Sequence, residues 1–538
     1  MPSRFERIDA GLMRWRADDI PWMMVSMFSL AALPPESIMT NPQKTFEVLC
    51  QQFRDASLIE SAAELLEWDE RTGMPSGGGD FRARQVSHLR GLVHEKKTSP
   101  KIEGWLSELD GWDEAVEPNE PIGATIRLLR KDFEKQRKLP QDLVEAIASA
   151  TVRGQGSWER ARRADDYSQF QPALDEMISL QRQAGQTIAE PGQTPYEALL
   201  NEYEPGAKVD HLTQVFADLR KDLVALVDEI QGRPRKAAPL LDQKFPVAAQ
   251  KSLSRKLAEA IGFDFERGRL DETSHPFCTT LGPSDCRILT RYEESFLPTS
   301  IFGTLHEAGH GLYEQGLPQD WYGLPPGQYA SLGIHESQSR LWENLVGRSH
   351  AFWQHFTPLM RSTFPSLLGD VTTDQLHTMF HQVQPSLIRV EADEVTYNLH
   401  ILVRFELEQA LVSGDLATDD LPTAWADLYE STIGIRPPSA ADGVLQDVHW
   451  SAGLFGYFPT YTLGNLVSAQ LFDSAQSAIS DLDGSIAKGE FGPLLDWLRA
   501  NIHCHGRNFT PDELVQNATG RPLSAGPLMG SLRGRYLD

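Results

Sequence analysis

The pattern of hydrophobic and polar positions predicts helices along most of the chain from Asn41 onward. Apolar residues recur at the i, i+3, i+4, i+7 spacing, which places them on one face of a helix. Such stripes occupy residues 46–53 and 59–66. A break rich in Gly follows at 73–79, and Asp80 is placed to cap the next helix. Further amphipathic segments are predicted near 125–138, 143–150, 170–189 and 210–231.

Strand signals are sparse by comparison. The best segment is 285–292, in which β-branched and apolar residues lie between a Gly-Pro turn and an acidic pair. It comes just before 299–316, which has the pattern of a helix, so we expect a short sheet beside that helix. No stretch from Asn41 to the end has the composition of an interdomain linker. We therefore predict one large, mainly α-helical unit over residues 39–538, with a small β-sheet.

Residues 1–38 differ from the rest of the chain. Segment 21–33 is apolar and about as long as a signal-peptide core, but it is too short to span a bilayer. Asp18 and Asp19 precede it, where a signal peptide carries positive charge. Two interpretations compete: a poorly ordered extension upstream of a start at Met39, and a targeting segment. We favour the extension.

Charge and cysteine content narrow the class of protein. The 538 residues suffice for a sizeable core, and 41% of them are hydrophobic, as in ordinary globular proteins. A net charge of −25 argues against a nucleic-acid partner, since phosphate binding needs clustered Lys and Arg. The four cysteines form no C-x-x-C pair. Neither a disulfide framework nor a cysteine zinc site is indicated, and a reducing cytoplasm fits best.

The helix predicted at 299–316 carries the clearest chemistry, in the H-E-x-x-H segment 306–310. His306 and His310 are four residues apart, so they share one face and can hold one metal ion. Glu307 points about 100° away from that face. It is better placed as a general base than as a ligand. A catalytic zinc takes three protein ligands and keeps one position for water, so a third ligand must come from elsewhere.

Three acidic residues downstream are candidates for the third ligand. Glu314 shares the histidine face, but it lies about 12 Å along the helix from the first histidine, too far to converge on one ion. Glu336 and Glu343 lie in 331–349, which has the pattern of a second helix. Packing against the first helix could aim either carboxylate at the metal. The spacing along the chain does not indicate which of the two is the ligand. Glu336 could also form an ordinary i, i+4 salt bridge with Arg340.

Six short motifs follow one another along the chain. They are His275-Pro276-Phe277, Asp285-Cys286-Arg287 at the start of a D-x-R-x-T pattern, the H-E-x-x-H at 306–310, His335-Glu336-Ser337-Gln338, an I-R-x-x-A-D at 388–393 and a G-x-x-Q-D-x-H-W at 443–450. In type and order they resemble the M32 family of zinc carboxypeptidases, the thermostable Taq-type enzymes. The D-x-R-x-T pattern departs at Leu289. The likeness runs from about Asn41 to near the C-terminus.

The resemblance implies a fold, a metal site and an activity. It implies a mainly helical, saddle-shaped fold with a deep groove, and a homodimer. It makes Glu336 the third ligand beside His306 and His310, for Zn²⁺ or, as a substitute, Co²⁺. The implied reaction removes single amino acids from peptides that have a free C-terminus.

Recognition of that free carboxylate points to an arginine, whose planar fork binds carboxylates bidentately. Arg389 is favoured by its motif, although it could instead pair with the acidic residues that follow it. Arg287 and Arg291 are weaker candidates. Gln446 and His275 are expected to line the groove or to support its residues.

The oxyanion formed during peptide hydrolysis needs a hydrogen-bond donor besides the metal. His449, Tyr457 and Tyr461 have a spacing like that of the His and Tyr donors in related H-E-x-x-H oligopeptidases, and we take them as candidates. Asp447 could orient a histidine. The cluster at 503–505 is too short for its side chains to converge on one ion and is taken as a loop feature.

Two other functions compete with a carboxypeptidase. One is an oligopeptidase or dipeptidyl carboxypeptidase on a similar scaffold, and the other is a non-catalytic binding scaffold stabilised by a metal. Glu307 argues against the scaffold, because metal binding alone does not require it.

Overall fold

The computed structural model describes residues 41–112, 117–233 and 243–537. The described residues from 42 onward form one compact unit. The extension predicted at 1–38 lies outside the described residues. Among the helices in the described ranges, none is both long and apolar enough to cross a membrane.

Helices make up most of the described structure, so the prediction of a mainly α fold is confirmed. They are α1 (Pro42–Thr72), α2 (Gly79–Lys97), α3 (Lys101–Glu108), α4 (Pro121–Lys138), α5 (Gln141–Ala164), α6 (Gln171–Ile188), α7 (Pro195–Leu200), α8 (Val209–Gln231), α9 (Val247–Ala260), α10 (Leu297–Gly316), α11 (Leu332–Arg340), α12 (His350–Thr363), α13 (Pro365–Leu368), α14 (Thr373–Phe380), α15 (Tyr397–Ser413), α16 (Leu421–Ile433), α17 (Pro459–Ala478), α18 (Leu482–Lys488), α19 (Gly492–Asn501), α20 (Pro511–Thr519) and α21 (Gly526–Tyr536).

A three-stranded sheet precedes α10 in the chain, as expected. Its strands are β1 (Gly268–Glu272), β2 (Phe277–Gly282) and β3 (Asp285–Thr290). Strand β3 is central, parallel to β1 and antiparallel to β2. Buried Ile288 of β3 joins the same apolar cluster as Leu305 of α10, so the sheet packs against the helix that carries the histidines.

Two local predictions are wrong. Asp80 does not cap α2, because the helix begins one residue earlier, directly after a 3₁₀ turn at Ser76–Gly78. Residues 331–349 are not one regular helix. The α-helix ends at Arg340 and a π-helical segment, Leu341–Val346, follows it. The wider π turn changes the direction in which Glu343 projects relative to Glu336, and such segments are often found at functional sites.

Close packing of three helices brings the candidate metal ligands together. A Cβ added to Gly309 of α10 would lie 2.6 Å from the backbone oxygen of Gln338, so only glycine permits this approach to α11. On its other side α11 packs against α17, where a Cβ on Gly464 would lie 2.4 Å from Cγ of Glu336. The glycine within H-E-x-x-H therefore has a packing role that sets the distance between α10 and α11.

Candidate metal centre and active site

Three side chains from α10 and α11 converge on one point. Nε2 of His306 lies 3.6 Å from Oε2 of Glu336, and Nε2 of His310 lies 3.5 Å from the same oxygen. Among the residues that the structure describes, these three form the one group of His, Cys, Asp and Glu side chains with donor atoms within 4.8 Å of one another. Ligands of a tetrahedral zinc ion lie about 3.3 Å apart. The donor set and its spacing therefore fit a divalent metal.

Glu336 uses its two oxygens differently. Oε1 accepts a hydrogen bond from Nε of Arg340 at 2.7 Å, so the i, i+4 salt bridge anticipated from the sequence is also present. Oε2 faces the histidines. Burial would raise the pKa of this carboxyl, but Arg340 and the histidines hold it well below its usual range. The carboxylate is thus ionised and aimed, as a metal ligand must be.

Each histidine is oriented through its second nitrogen. Nδ1 of His306 donates to Oε2 of Glu343 at 2.8 Å, and Nδ1 of His310 donates to the backbone oxygen of His335 at 3.0 Å. These bonds leave both Nε2 atoms pointing toward Glu336. Glu314 accepts from Nε2 of His335 at 2.9 Å. Glu343 therefore stands behind His306, where such partners fix the tautomer and orientation of a ligand.

The ionisation of the neighbouring groups suits a metal site. Burial lowers the pKa of His310 to about 3, so its imidazole is neutral and has a lone pair to offer. Burial raises the pKa of Glu307 to about 7, although His306 opposes the shift. Oε2 of Glu307 is buried and has no hydrogen-bond partner among the described residues. An unpaired carboxylate oxygen is thus held beside the three converging side chains.

An aromatic cluster adjoins the metal site at the start of α17. The ring of His449 lies 5.5 Å from that of Tyr457, and its Nε2 lies 3.5 Å from the hydroxyl of Tyr461. Gly464, one turn after Tyr461, contacts Glu336. Burial lowers the pKa of His449 to about 4 and raises that of both tyrosines. At neutral pH all three groups are uncharged, and the tyrosines retain their donor protons.

Asp447 lies between two arginines. Its Oδ1 accepts from Nε and Nη2 of Arg389 at 3.0 and 2.8 Å, and its Oδ2 accepts from Nε of Arg404 at 2.7 Å. The remaining Nη1 of Arg389 donates to the hydroxyl of Tyr397 at 3.0 Å. Nδ1 of His449 is 3.9 Å from Asp447, beyond hydrogen-bond range, and has no partner in the described part of the chain. Asp447 therefore anchors arginines more directly than it orients a histidine.

Two of the acidic residues that follow Arg389 in sequence have other partners. Asp393 accepts from the backbone of Val395 and Thr396, and Glu394 pairs with Arg535. The partner of Arg389 is instead Asp447 of the motif at 443–450, which lies 58 positions away. Sequence proximity pointed to the wrong carboxylates.

Four other candidate residues have varied surroundings. The amide of Gln446 accepts from the backbone nitrogen of Arg389 and donates to Leu387 and Asp442, so it supports the arginine from behind. His275 is exposed, Arg287 pairs with Asp285 of its own strand, and Arg291 pairs with Glu293.

The cluster at 503–505 forms a 3₁₀ turn, and its first residue reaches the metal-site helix. His503 is fully buried, and its Nε2 contacts Oε1 of Gln338 at 3.0 Å. His503 thus braces the C-terminal half of α11.

Arg404 and Tyr397 were not anticipated from the sequence. Arg404 is a charged residue within the apolar helix α15, and it is completely buried. A lone arginine in an apolar helix was the available signal, since a buried charge needs a partner. Tyr397 is flanked by two guanidinium groups: it accepts a hydrogen bond from Arg389, and that of Arg340 lies 4.6 Å from its ring. It therefore bridges the metal-site and Asp447 clusters.

A helical fold in which an H-E-x-x-H helix meets a glutamate from a neighbouring helix is that of a metallopeptidase. The family model for carboxypeptidase Taq (M32) metallopeptidases matches residues 48–536. The chain belongs to this family, whose members are metallocarboxypeptidases that act on peptides with a divalent metal.

Individual relatives match over nearly their whole length. Thermostable carboxypeptidase 1 of Thermus thermophilus is 45% identical over 504 residues, covering 92% of this chain and 99% of the relative. Carboxypeptidase 1 of Bacillus subtilis is 35% identical over 500 residues, with 93% and 98% covered. The crystal structure of the M32 carboxypeptidase of Deinococcus radiodurans R1 superposes with a TM-score of 0.89 at 39% identity, with 92% of this chain and 99% of that chain covered.

Proposed function

We propose that the protein is a zinc-dependent carboxypeptidase that releases single amino acids from the C-termini of peptides. The observation that carries this proposal is the convergence of His306, His310 and Glu336 beside the unpaired oxygen of Glu307. Two imidazole nitrogens and a carboxylate suit zinc, and cobalt can occupy the same donor set. A bound divalent ion supplies Lewis acidity, which polarises the scissile carbonyl and lowers the pKa of water.

Glu307 is the general base in this proposal. It takes a proton from the attacking water and passes it to the leaving amine. A base is most effective when its pKa lies near the working pH, and burial brings that of Glu307 to about 7. Its unpaired Oε2 is the acceptor atom.

His449, Tyr457 and Tyr461 are the proposed donors to the oxyanion. Raised tyrosine pKa values keep both hydroxyl protons in place, and a low pKa keeps His449 neutral. Neutral donors stabilise a developing negative charge without adding a permanent charge to the groove. The contact of Gly464 with Glu336 supports a location beside the reacting carbonyl.

Recognition of the substrate carboxylate is proposed to depend on the positive charge around Arg389. Arg389 and Arg404 share one bonded carboxylate, that of Asp447, so the buried cluster carries one cation more than its bonded anions. An unmatched buried charge favours an incoming anion. The guanidinium of Arg389 lies 5.2 Å from the ring of Tyr461, beside the proposed oxyanion donors. A free C-terminus supplies the missing negative charge.

Replacing Arg389 by Lys tests this recognition. Lysine keeps the charge but cannot hold Asp447 through two nitrogens. We expect KM for a free-acid peptide to rise about tenfold to a hundredfold, which corresponds to the loss of one hydrogen bond to a charged group. The change in kcat should be smaller. Steady-state kinetics measure both quantities. The control is Arg291→Lys, an exposed arginine paired with Glu293, which should leave KM unchanged. An unaltered KM in the Arg389 variant would contradict the assignment.

Metal removal gives a second test. Dialysis against a chelator should abolish peptide hydrolysis, because two imidazoles and one carboxylate cannot activate water without the ion. Addition of one equivalent of Zn²⁺ or Co²⁺ should restore it, whereas Mg²⁺, which prefers oxygen ligands, should not. Full activity in the chelated, metal-free protein would refute the proposal. Metal content is measured on the same samples by atomic emission.

The cellular setting completes the proposal. The M32 resemblance supports a homodimer, and the cysteines at 50, 278, 286 and 504, all of them free, suit a reducing cytoplasm. Residues 39–538 would form the catalytic unit and 1–38 an extension to it. Light scattering on the purified chain measures the oligomeric state, and a monomeric mass would contradict the dimer.

A further inference from the structure

The first turn of α11 is held by a segment 129 residues earlier in the chain. The backbone nitrogen of Leu332 donates to the oxygen of Tyr203 at 3.2 Å, and that of Gly333 donates to Oε1 of Glu204. The next amide, of Ile334, is capped locally by the hydroxyl of Ser331 at 3.0 Å. Amides at a helix start have no partner within the helix. Here a distant pair of residues satisfies two of them.

The fit between Glu204 and α11 is tight. Glu204 is buried, and a Cβ added to Gly333 would lie 2.6 Å from its carboxylate. Burial raises the pKa of Glu204 to about 8, while hydrogen bonds from Ser331 and Gly333 oppose the shift. The carboxyl group of Glu204 is thus in direct contact with the N-terminus of α11.

Glu336 follows Gly333 by less than one helical turn, so any shift of the first turn moves this ligand as well. The stem of Glu336 is also confined from α17, where Gly464 leaves no room for even a methyl group. Tyr203 packs its ring edge-on against that of Tyr457, with centroids 5.2 Å apart. Residues 203–204 therefore touch both the metal-ligand helix and a proposed oxyanion donor.

We propose that Glu204 is a positioning residue for the metal centre, because its carboxyl group holds the first turn of α11 and thereby fixes Oε2 of Glu336 against the two histidines. This inference rests on the metal centre in the proposed function. It gives a role to the Tyr-Glu-Pro-Gly segment at 203–206, which lies outside the catalytic motifs. Outer partners of metal ligands are typically worth a factor of ten to a hundred in metal affinity.

The test measures metal affinity in the metal-free full-length protein. Glu204→Ala should raise the dissociation constant for Zn²⁺ about tenfold, measured by competition with a chromophoric chelator. The visible absorption of the Co²⁺-loaded variant should shift, because Glu336 is displaced. Glu204→Gln keeps an oxygen that can accept from Gly333, so its dissociation constant should stay within about threefold of the wild type. Should Glu204→Ala fail to fold, Gly333→Ala displaces the same contact from the other side and should weaken binding similarly.

Glu197 provides a matched control. It is a buried glutamate whose Oε2 accepts from the backbone nitrogen of Val209 at 3.1 Å, at the start of α8, a helix that carries no site residue. Glu197→Ala should lower the unfolding temperature about as much as Glu204→Ala does. It should nevertheless leave the Zn²⁺ dissociation constant and the Co²⁺ spectrum unchanged.

Three outcomes separate the possibilities. Equal Zn²⁺ affinity in Glu204→Ala and the wild type would overturn the inference, as would equal losses in Glu204→Gln and Glu204→Ala. A wild-type protein that binds no Zn²⁺ would instead refute the proposed function on which the inference rests.

Discussion

Glu307→Gln should lower kcat by a factor of about a hundred to ten thousand, the usual contribution of a general base. Glutamine has nearly the same shape but cannot take the proton from water. The affected atom is the unpaired Oε2, so few structural bonds are lost. Because Glu307 is not among the three converging donors, metal content should remain that of the wild type. Stopped-flow or steady-state assays give kcat, and elemental analysis gives the metal.

A control for this prediction lies two turns along the same helix. Glu314→Gln removes a carboxylate that bonds His335 and not the metal group. It should reduce kcat by less than about tenfold. The role of Glu307 would be refuted if its glutamine variant retained wild-type kcat, or if it lost activity only through loss of metal.

Glu336 and Glu343 should respond very differently to the same substitution. Glu336→Gln removes the anionic oxygen that faces both histidines. We expect Zn²⁺ affinity to fall by more than about a hundredfold, which exceeds the usual effect of replacing a residue that only hydrogen-bonds to a metal ligand. Glu343→Gln leaves the three donors in place and loosens only the orientation of His306. Glu343→Gln should therefore lower Zn²⁺ affinity by about tenfold to a hundredfold. Titration of the metal-free variants with Zn²⁺ measures both constants.

Arg340 serves as the reference in this comparison, because it contacts both carboxylates, at 2.7 Å from Glu336 and 3.2 Å from Glu343. Either glutamine variant therefore deprives the same cation of one partner, and a general electrostatic effect would be similar in the two. Equal losses of Zn²⁺ affinity would contradict the assignment of Glu336 as the ligand, and a larger loss in Glu343→Gln would reverse it.

The candidate metal site is the part of the molecule that the local sequence pattern predicts best. The spacing of His306 and His310 on one helical turn follows from backbone geometry alone, and so does the exclusion of Glu314. The choice between Glu336 and Glu343 did not follow, since both lie in one polar-apolar pattern. In the structure Glu336 lies in an α-helix and Glu343 in a π-helical segment, and hydrophobic periodicity gives no signal for a π-helical segment.

Contacts between distant segments account for what the sequence did not predict. The bond between Arg389 and Asp447 joins two motifs whose separation cannot be read from spacing, and Arg404 enters from a third segment. Similarly, the capping of α11 by Glu204 crosses 129 positions. Patterns with periods of two to four residues report local structure, whereas these partners depend on how whole helices pack.

In the proposed function the protein cleaves only at a free C-terminus, because the buried cation cluster around Arg389 binds that carboxylate. The most direct measurement compares an N-terminally blocked dipeptide with its C-terminally amidated analogue, using the Zn²⁺-loaded wild type. The account predicts release of the C-terminal residue from the free acid and negligible cleavage of the amide. Equal rates on the two peptides would contradict it and would favour an oligopeptidase that cleaves internal bonds.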